Sequence, residues 1–453
     1  MSSFKCKVIL IIFLLTLTIA VPVPAQITKD ADDGTTLKQI IIFGRHSIRS
    51  TTVDPSTLAQ FSDNSYPAFV GVPTGYLTPR GQEAARLLGS YFHDYLLHEG
   101  LLTGRASTDL SRSYFRANSI QRSFITAAKF GEGLIPGATV SVHSYELDTP
   151  DPVFDPIAAN VIEGSVDSGR ALAEVQGIYG SGAAIASAYS GEIELIRSVL
   201  SPPGSVDTTA EQITLTANNP ITNAGDFINV GGLELMTSAT DPFVMQYADG
   251  FPLGDVAWGR LSLDTLSQQT RLTILQVNIA MLPPYINQVQ SSNAASHVLR
   301  SMRQAILGRR LPGAFGNGKS RVLVIISSDY YVAGLAGLLR LHWTLPGYQP
   351  DFCAPGGALV FELRQSKKSK KHLVRAFYTA QTFDQLRNLT PLTLEEPPAT
   401  MQLTIPGGTN SATDLDVKFT TFKKLLRKAI DYNYVQPFGK EAPPDVLDNV
   451  PLD

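Results

Sequence analysis

One imidazole stands between two guanidiniums in the run Phe43-Gly44-Arg45-His46-Ser47-Ile48-Arg49-Ser50. Arginine forks match phosphate oxygens two at a time. A neutral imidazole beside them is placed to attack phosphorus. A nucleophile thus lies inside its own anion trap. A lone histidine is as often structural as functional; the flanking arginines make His46 the candidate nucleophile. Two groups remote in sequence can complete such a site. Arg122 lies in Ser119-Ile120-Gln121-Arg122-Ser123-Phe124, at the expected start of a helix, and a helix N-terminus already favours anions. Ser328-Asp329 follows a second apolar run. Its carboxyl is a candidate proton donor, although aspartate is also a favoured helix cap. Ser328 is open between capping and phosphate contact.

The positioning elements can be read from pattern. Lys38 to Phe43 predicts a strand that is apolar on both faces and therefore central in a sheet. Arg321 to Ile326 predicts a second of the same kind. In open α/β sheets, sites form beyond the carboxyl ends of strands. The two strands should therefore bring Arg45, His46 and Arg49 close to Ser328 and Asp329. Residues 50 to 75, with Asp54-Pro55, Tyr66-Pro67 and Val72-Pro73-Thr74-Gly75, read as a loop that walls the pocket. Thr78-Pro79 opens a helix that runs through Tyr95, with Gly100 just past its end. A second helix is expected from about Ser119 to Phe130.

Residues 151 to about 300 carry helical patterns broken by Ser-Pro-Pro-Gly at 201 to 204. Leu359 to Leu363 and Leu373 to Tyr378 predict a hairpin, with the lysines at 367, 368, 370 and 371 as a solvated tip. Thr420 to Asp431 reads as an amphipathic helix. The expected architecture is an α/β three-layer sandwich with a mixed, mostly parallel central sheet. Residues 26–150 and 300–453 would form it, with a smaller, mostly helical domain inserted at 151–299.

The N-terminus reads as a cleaved signal peptide, residues 1–25. Lys5 and Lys7 precede the apolar run Val8 to Ile19, and Val23-Pro24-Ala25 offers a cleavage site. The run is too short to span a bilayer comfortably. Its removal leaves 35 Lys+Arg against 40 Asp+Glu, moving formal charge from −3 to −5. That balance argues against non-specific binding to nucleic acid or to an anionic membrane, so neither is expected as a partner. Of the two cysteines, Cys6 leaves with the leader. A mature chain with one thiol, Cys353, fits a periplasmic or secreted bacterial protein. There is no metal-ligand spacing, glycine-rich phosphate loop or serine-hydrolase elbow. No metal or cofactor is expected.

Arg45 to Ser50 resembles the RHGxRxP signature of the histidine acid phosphatases, the second branch of the histidine phosphatase superfamily. The likeness continues through Gly75 to Gly81, Gln121-Arg122-Ser123 with Thr126-Ala127, Asp151 to Phe154, Gln246 to Gly250, Trp258-Gly259-Arg260, Ser328-Asp329 and Pro355 to Glu362. It spans most of residues 40 to 430. The resemblance implies hydrolysis of phosphate monoesters through a phosphohistidine on His46. Arg45, Arg49 and Arg122 would hold the phosphoryl oxygens, with Ser328 at a further phosphate position. Asp329 would protonate the leaving alcohol and then activate water. Three guanidiniums supply the electrostatic stabilisation that a metal otherwise gives. The implied partner is a small phosphate monoester: phytate, a sugar phosphate or a lipid phosphate.

Three positions depart from the family pattern. Ser328 stands where the family has histidine, Ser47 where it has glycine, and Ser50-Thr51 lacks its proline. Loss of the cation at 328 is expected to weaken phosphate binding and to move the pH optimum toward neutrality. The same changes motivate a rival reading, a pseudoenzyme that binds phosphorylated ligands without turnover. A phosphoryl-transferring mutase fits an exported protein less well. The oligomeric state is not legible.

Overall fold

Two runs of β-branched and aliphatic residues pair side by side and in the same direction, and the rest of the molecule is arranged around them. The computed structural model describes residues 33–162, 166–200, 212–218 and 226–438. The leader and its cleavage site lie outside these. β1 spans Thr35–Arg45, two residues beyond the expected end. Loop residues follow, interrupted by one helical turn, α1 (Pro55–Leu58). Then come α2 (Pro79–His98), α3 (Ala106–Leu110), β2 (Ser113–Ala117), α4 (Gln121–Leu134) and β3 (Val142–His143). The middle of the chain carries α5 (Ser168–Tyr179), α6 (Gly182–Ala188), α7 (Ser190–Leu200), α8 (Leu233–Ala248), α9 (Leu263–Met281) and α10 (Pro284–Leu307). Between α7 and α8, the strands β4 (Thr214–Ala217) and β5 (Ile228–Gly231) form an antiparallel pair, which the helical reading of this stretch did not anticipate. The chain then returns to the main sheet with β6 (Val322–Ser327), α11 (Asp329–Leu338), β7 (Ala358–Ser366) and β8 (His372–Ala380). Last come α12 (Phe383–Asn388), β9 (Ala399–Gln402), β10 (Val417–Lys418) and α13 (Phe419–Ala429).

The main sheet has the order β10-β8-β7-β1-β6-β2-β3, with β9 also paired to β8. Its centre is parallel: β1 with β6, β6 with β2, and β2 with β3. From β1 outward through β7, β8 and β10 the pairing is antiparallel. The strand period of two explains the three layers. Ile40, Ile42, Val322 and Val324 pack with Leu88, Phe92, Phe124 and Phe130 of α2 and α4. Their neighbours Ile41, Phe43, Leu323 and Ile325 face the other way, toward Phe243, Leu272, Val298, Val332 and Phe422 of α8 to α11 and α13. Both faces are dry, and each buried aliphatic side chain contributes about 1.5–3 kcal/mol.

Local signals set the helix ends. Thr78 caps α2 by accepting the Gly81 N–H at 2.9 Å, with Pro79 in the first turn. Gly81 is required there, because a Cβ would lie 2.0 Å from the Ile48 carbonyl oxygen. α2 can therefore rest its first turn directly on the loop that follows β1. In α13, Phe419, Phe422 and Leu426 are buried while Lys424, Arg427 and Lys428 face solvent. The lysines at the β7–β8 tip are exposed, as expected.

Candidate active site

Register brings the candidate residues to one edge. β1 pairs with β6 so that Arg45 lies opposite Ser327, and β2 pairs with β6 so that Ala117 lies opposite Ile326. Three parallel strands thus end together. His46 leaves β1, Ser328-Asp329 leaves β6, and α4 with Arg122 starts four residues after β2. The backbone of the first turn is held on both sides. The His46 N–H donates to Ser327 O at 2.8 Å, and His46 O accepts the Gly356 N–H at 2.9 Å.

His46 Nδ1 lies 2.9 Å from the Ser47 carbonyl oxygen. A carbonyl only accepts, so Nδ1 carries the proton and Nε2 carries the lone pair. The ring is buried. Burial first, then the charges of Arg122, Arg45 and Arg49, hold its pKa well below the ordinary value. The environment therefore favours the neutral imidazole. All three predicted arginines act on it, so the residues expected to converge do so.

Each guanidinium is held differently. Arg45 Nη1 donates to Cys353 O at 2.6 Å, and its Nη2 lies 3.2 Å from Asp329 Oδ2. Arg49 binds Asp241 through two parallel bonds, Nη1 to Oδ2 at 2.8 Å and Nη2 to Oδ1 at 2.7 Å. Burial opposes the Arg49 charge, but Asp241 overcomes it and holds the guanidinium above its usual range. Arg122 has only a 3.3 Å bond from Nη1 to Gly75 O. Burial, then the repulsion of Arg49 and Arg45, pushes its pKa down to about 10, so it stays charged near neutrality. The buried Nε of Arg45, Arg49 and Arg122 all lack an acceptor among the described residues. Buried donors without acceptors are uncommon in folded proteins, and three of them lie together at this edge.

The departures from the family pattern have visible roles. The Ser50 N–H donates to Tyr76 O at 2.9 Å and its hydroxyl donates to Pro73 O at 2.5 Å. These bonds close the wall loop, and the family's proline falls at the next position, Thr51, whose hydroxyl accepts the Val53 N–H at 3.0 Å, a bond that a proline side chain could not make. Ser47 is fully buried, and its N–H donates to Thr126 Oγ1 at 3.1 Å. Its hydroxyl has no partner and sits against Gly356. Ser328 occupies the N-cap position of α11, but its side chain makes no capping bond. The capping alternative therefore loses its support. Asp329 opens α11, and with Asn278, Phe352 and Cys353 it lines a narrow cleft. The Cys353 thiol is buried there with its pKa pushed far up, chiefly by burial, so it is no nucleophile.

Asp241 was not read from the sequence. It lies 192 residues from Arg49, within α8. Burial works against its ionisation, but Arg49, Arg45 and Arg122 hold the carboxyl below its usual range. The only local signal was a charge directly before Pro242 in an apolar helix.

The chain is similar to known proteins along most of its length. Residues 29–174 match the model of the histidine phosphatase superfamily, branch 2. The chain is 27% identical over 418 residues to the phytase AppA of Escherichia coli K12, covering 88% of this chain and 93% of that protein. It is 26% identical over 415 residues to a glucose-1-phosphatase of Providencia rettgeri, covering 90% and 95% respectively. Among solved structures, a Hafnia alvei phytase in complex with tartrate superposes with a TM-score of 0.81 at 28% identity. It matches over 90% of this chain and all of that one.

Proposed function

We propose that this chain, whose residues 29–174 match the model of the histidine phosphatase superfamily, branch 2, hydrolyses phosphate monoesters with its residues dividing the work as follows. The reading is carried by one observation: a buried imidazole, Nδ1-protonated at a sheet edge, beside three guanidiniums of which two are buried, with a carboxyl paired to one of them. His46 Nε2 attacks phosphorus, and the bond to the ester oxygen breaks. Asp329, protonated for this step, delivers its proton to the departing alkoxide. Arg45, Arg49 and Arg122 carry the charge that spreads over the phosphoryl oxygens. The carboxylate left on Asp329 then accepts a proton from water. The water oxygen attacks phosphorus, the N–P bond breaks, and orthophosphate leaves. Ser328 offers a hydroxyl to the same phosphoryl group.

Ser47 O holds the tautomer throughout, so the nucleophilic nitrogen needs no proton removed before attack. Relatives named phytase and glucose-1-phosphatase are nearly equally distant, so similarity leaves the choice of alcohol open. Export is part of the proposal. Residues 1–25 act as the leader, placing the enzyme in the periplasm or outside the cell, and N-terminal sequencing of the secreted protein tests it. Among the described residues no helix is long and apolar enough to cross a membrane. Residues 26–150 with 300–453 are proposed as the catalytic unit, and 151–299 as an insertion over it.

His46→Ala is expected to lower p-nitrophenyl phosphate turnover by at least about a thousandfold, with an unchanged melting temperature. Acid-quenched wild type should yield labelled phosphohistidine. Retained turnover in the variant overturns the nucleophile assignment. A labelled-phosphate trap that stays empty, together with no product, would favour the pseudoenzyme.

A further inference from the structure

The turn that carries His46 is tied to its frame by backbone bonds and by the side chain of Thr126. The His46 N–H reaches Ser327 O at the end of β6, and His46 O accepts from the Gly356 N–H. The next donor along the chain, the Ser47 N–H, is accepted by Thr126 Oγ1 of α4 at 3.1 Å. Ser47 and Thr126 are both buried, so water cannot stand in for that acceptor. The bond bears directly on the imidazole. Nδ1 donates to Ser47 O, which belongs to the adjacent residue. Taken alone, that bond lets ring and carbonyl swing together. Holding the Ser47 N–H restrains the backbone between the His46 Cα and that carbonyl, and with it the direction of the Nε2 lone pair.

The same hydroxyl reaches the residue that carries the third guanidinium. Thr126 Oγ1 donates to Arg122 O at 2.7 Å, one helical turn earlier. A hydroxyl has one proton to give and lone pairs to accept with, so it does both at once. One oxygen atom thus links the backbone of the nucleophile to the backbone of Arg122. Ser123, on the same face of α4, donates to Ser327 O at 3.4 Å, the carbonyl that also accepts the His46 N–H. α4 is not free to retreat from these bonds. A Cβ at Gly133 would lie 2.0 Å from Arg86 O of α2, and one at Gly89 of α2 would lie 2.1 Å from Phe130 O of α4. The two helices are therefore in backbone contact, and α2 in turn rests on Ile48 O through Gly81.

From this we infer, resting on the phosphatase reading above, that Thr126 is a positioning residue: its hydroxyl sets the aim of the His46 imidazole relative to the phosphoryl group that Arg122 helps to hold. It acts through the backbone of the turn and not on the reacting atoms. Its effect falls on kcat rather than on anion binding. The guanidiniums of Arg45, Arg49 and Arg122 are held by Cys353 O, Asp241 and Gly75 O, and none of these contacts runs through the Thr126 hydroxyl. A nucleophile displaced by a fraction of an ångström loses rate while the anion trap stays intact.

The test compares Thr126→Val, which keeps the shape but has no acceptor, with Thr126→Ser, which keeps the hydroxyl, and Thr126→Cys, whose thiol accepts weakly. With p-nitrophenyl phosphate, kcat per active site is expected to fall about tenfold to a hundredfold in Thr126→Val, with Ki for inorganic phosphate within about twofold of wild type. The rapid-quench rate of phosphohistidine formation should fall with kcat. Thr126→Ser should keep kcat within about threefold of wild type, and Thr126→Cys should lie between the two. Wild-type kcat in Thr126→Val overturns the proposal. So does a Thr126→Ser no better than Thr126→Val, which assigns the effect to lost packing. Phosphate affinity lost in step with kcat places the role in anion binding and refutes it as well. Where Thr126→Val does not fold, Thr126→Ser against Thr126→Cys decides, and equal kcat in the two refutes the role of the hydroxyl. All these results leave the phosphatase reading standing. Wild type that turns over no substrate and traps no phosphohistidine overturns that reading, and this inference with it.

Discussion

Two buried charge clusters use the same side chains for opposite ends. One lies on the antiparallel half of the sheet. There Arg364 donates to Thr35 Oγ1 at 2.6 Å, Glu362 at 2.7 Å and Glu99 at 2.8 Å. Arg375 next to it binds Asp416 twice and Asp33 once, each at 2.8 Å. Tyr95 adds its hydroxyl to Glu362. Two arginines meet four carboxylates, and both guanidiniums are held above their usual range against the opposing effect of burial. The other cluster lies at the parallel edge. There three arginines meet two carboxylates, all three Nε atoms lack acceptors, and Arg122 is pushed down. Compensation separates them. A buried ion cluster that only stabilises must satisfy its charges internally. One that binds an anion keeps its donors uncommitted, at a cost in stability that the surrounding core supports.

Breaking one arginine in each cluster gives the largest contrast. Arg122→Ala should lower kcat/KM by about 10²–10³ and leave the melting temperature unchanged or raised, because an unpaired buried cation is removed. Arg364→Ala should do the reverse. It strands buried Glu362, costs about 3–5 kcal/mol of folding free energy, and leaves kcat per folded molecule near wild type. Thermal unfolding and active-site-normalised kinetics on both variants decide it. Equal stability loss in the two would end the distinction.

Asp241→Asn sharpens it with a smaller effect. This change removes one of the two carboxylates at the parallel edge and shifts that cluster further from balance. Inorganic phosphate should then inhibit more strongly by about 1 kcal/mol, roughly fivefold in Ki. At the same time kcat falls, because Arg49 loses its bidentate guide. Weaker phosphate inhibition would mean that Asp241 serves only to orient Arg49.

The smallest effect concerns pH. The His46 pKa is depressed from the ordinary 6.5, so protonation sets in only as pH falls well below that value. The nucleophile of the free enzyme stays active through the mildly acidic range. A kcat/KM profile should therefore show no acid limb centred near 6.5; such a limb would contradict the assigned environment. Ser328→His adds a cation beside Asp329. It should tighten phosphate binding and move the optimum to lower pH, and identical profiles would dismiss a role for position 328.

Much of this was legible in the chain itself. The two central strands could be placed, with ends one to two residues short of Arg45 and Ser327, because runs apolar on both faces admit few other structures, and Thr78-Pro79 announced α2 through cap chemistry alone. Arg45, His46 and Arg49 are neighbours along the chain, so local backbone geometry was enough to group them. Arg122 and Asp329 were reached as candidates from an expected helix start and the end of a second apolar strand, and resemblance to a family pattern then supported them. No contact along the chain connects them to His46; only the expectation that sites form at strand ends did. The parallel register of β1, β6 and β2 does so, and register depends on which strands pair. Asp241 was hidden altogether, as was the β4–β5 pair. A carboxylate inside an apolar helix acquires meaning only when α8 packs across the cleft and meets Arg49. Residue type and local period pointed to the candidate nucleophile with its flanking arginines and determined the class of fold. Charge compensation across long sequence distances is a property of the folded arrangement, and it was decided there.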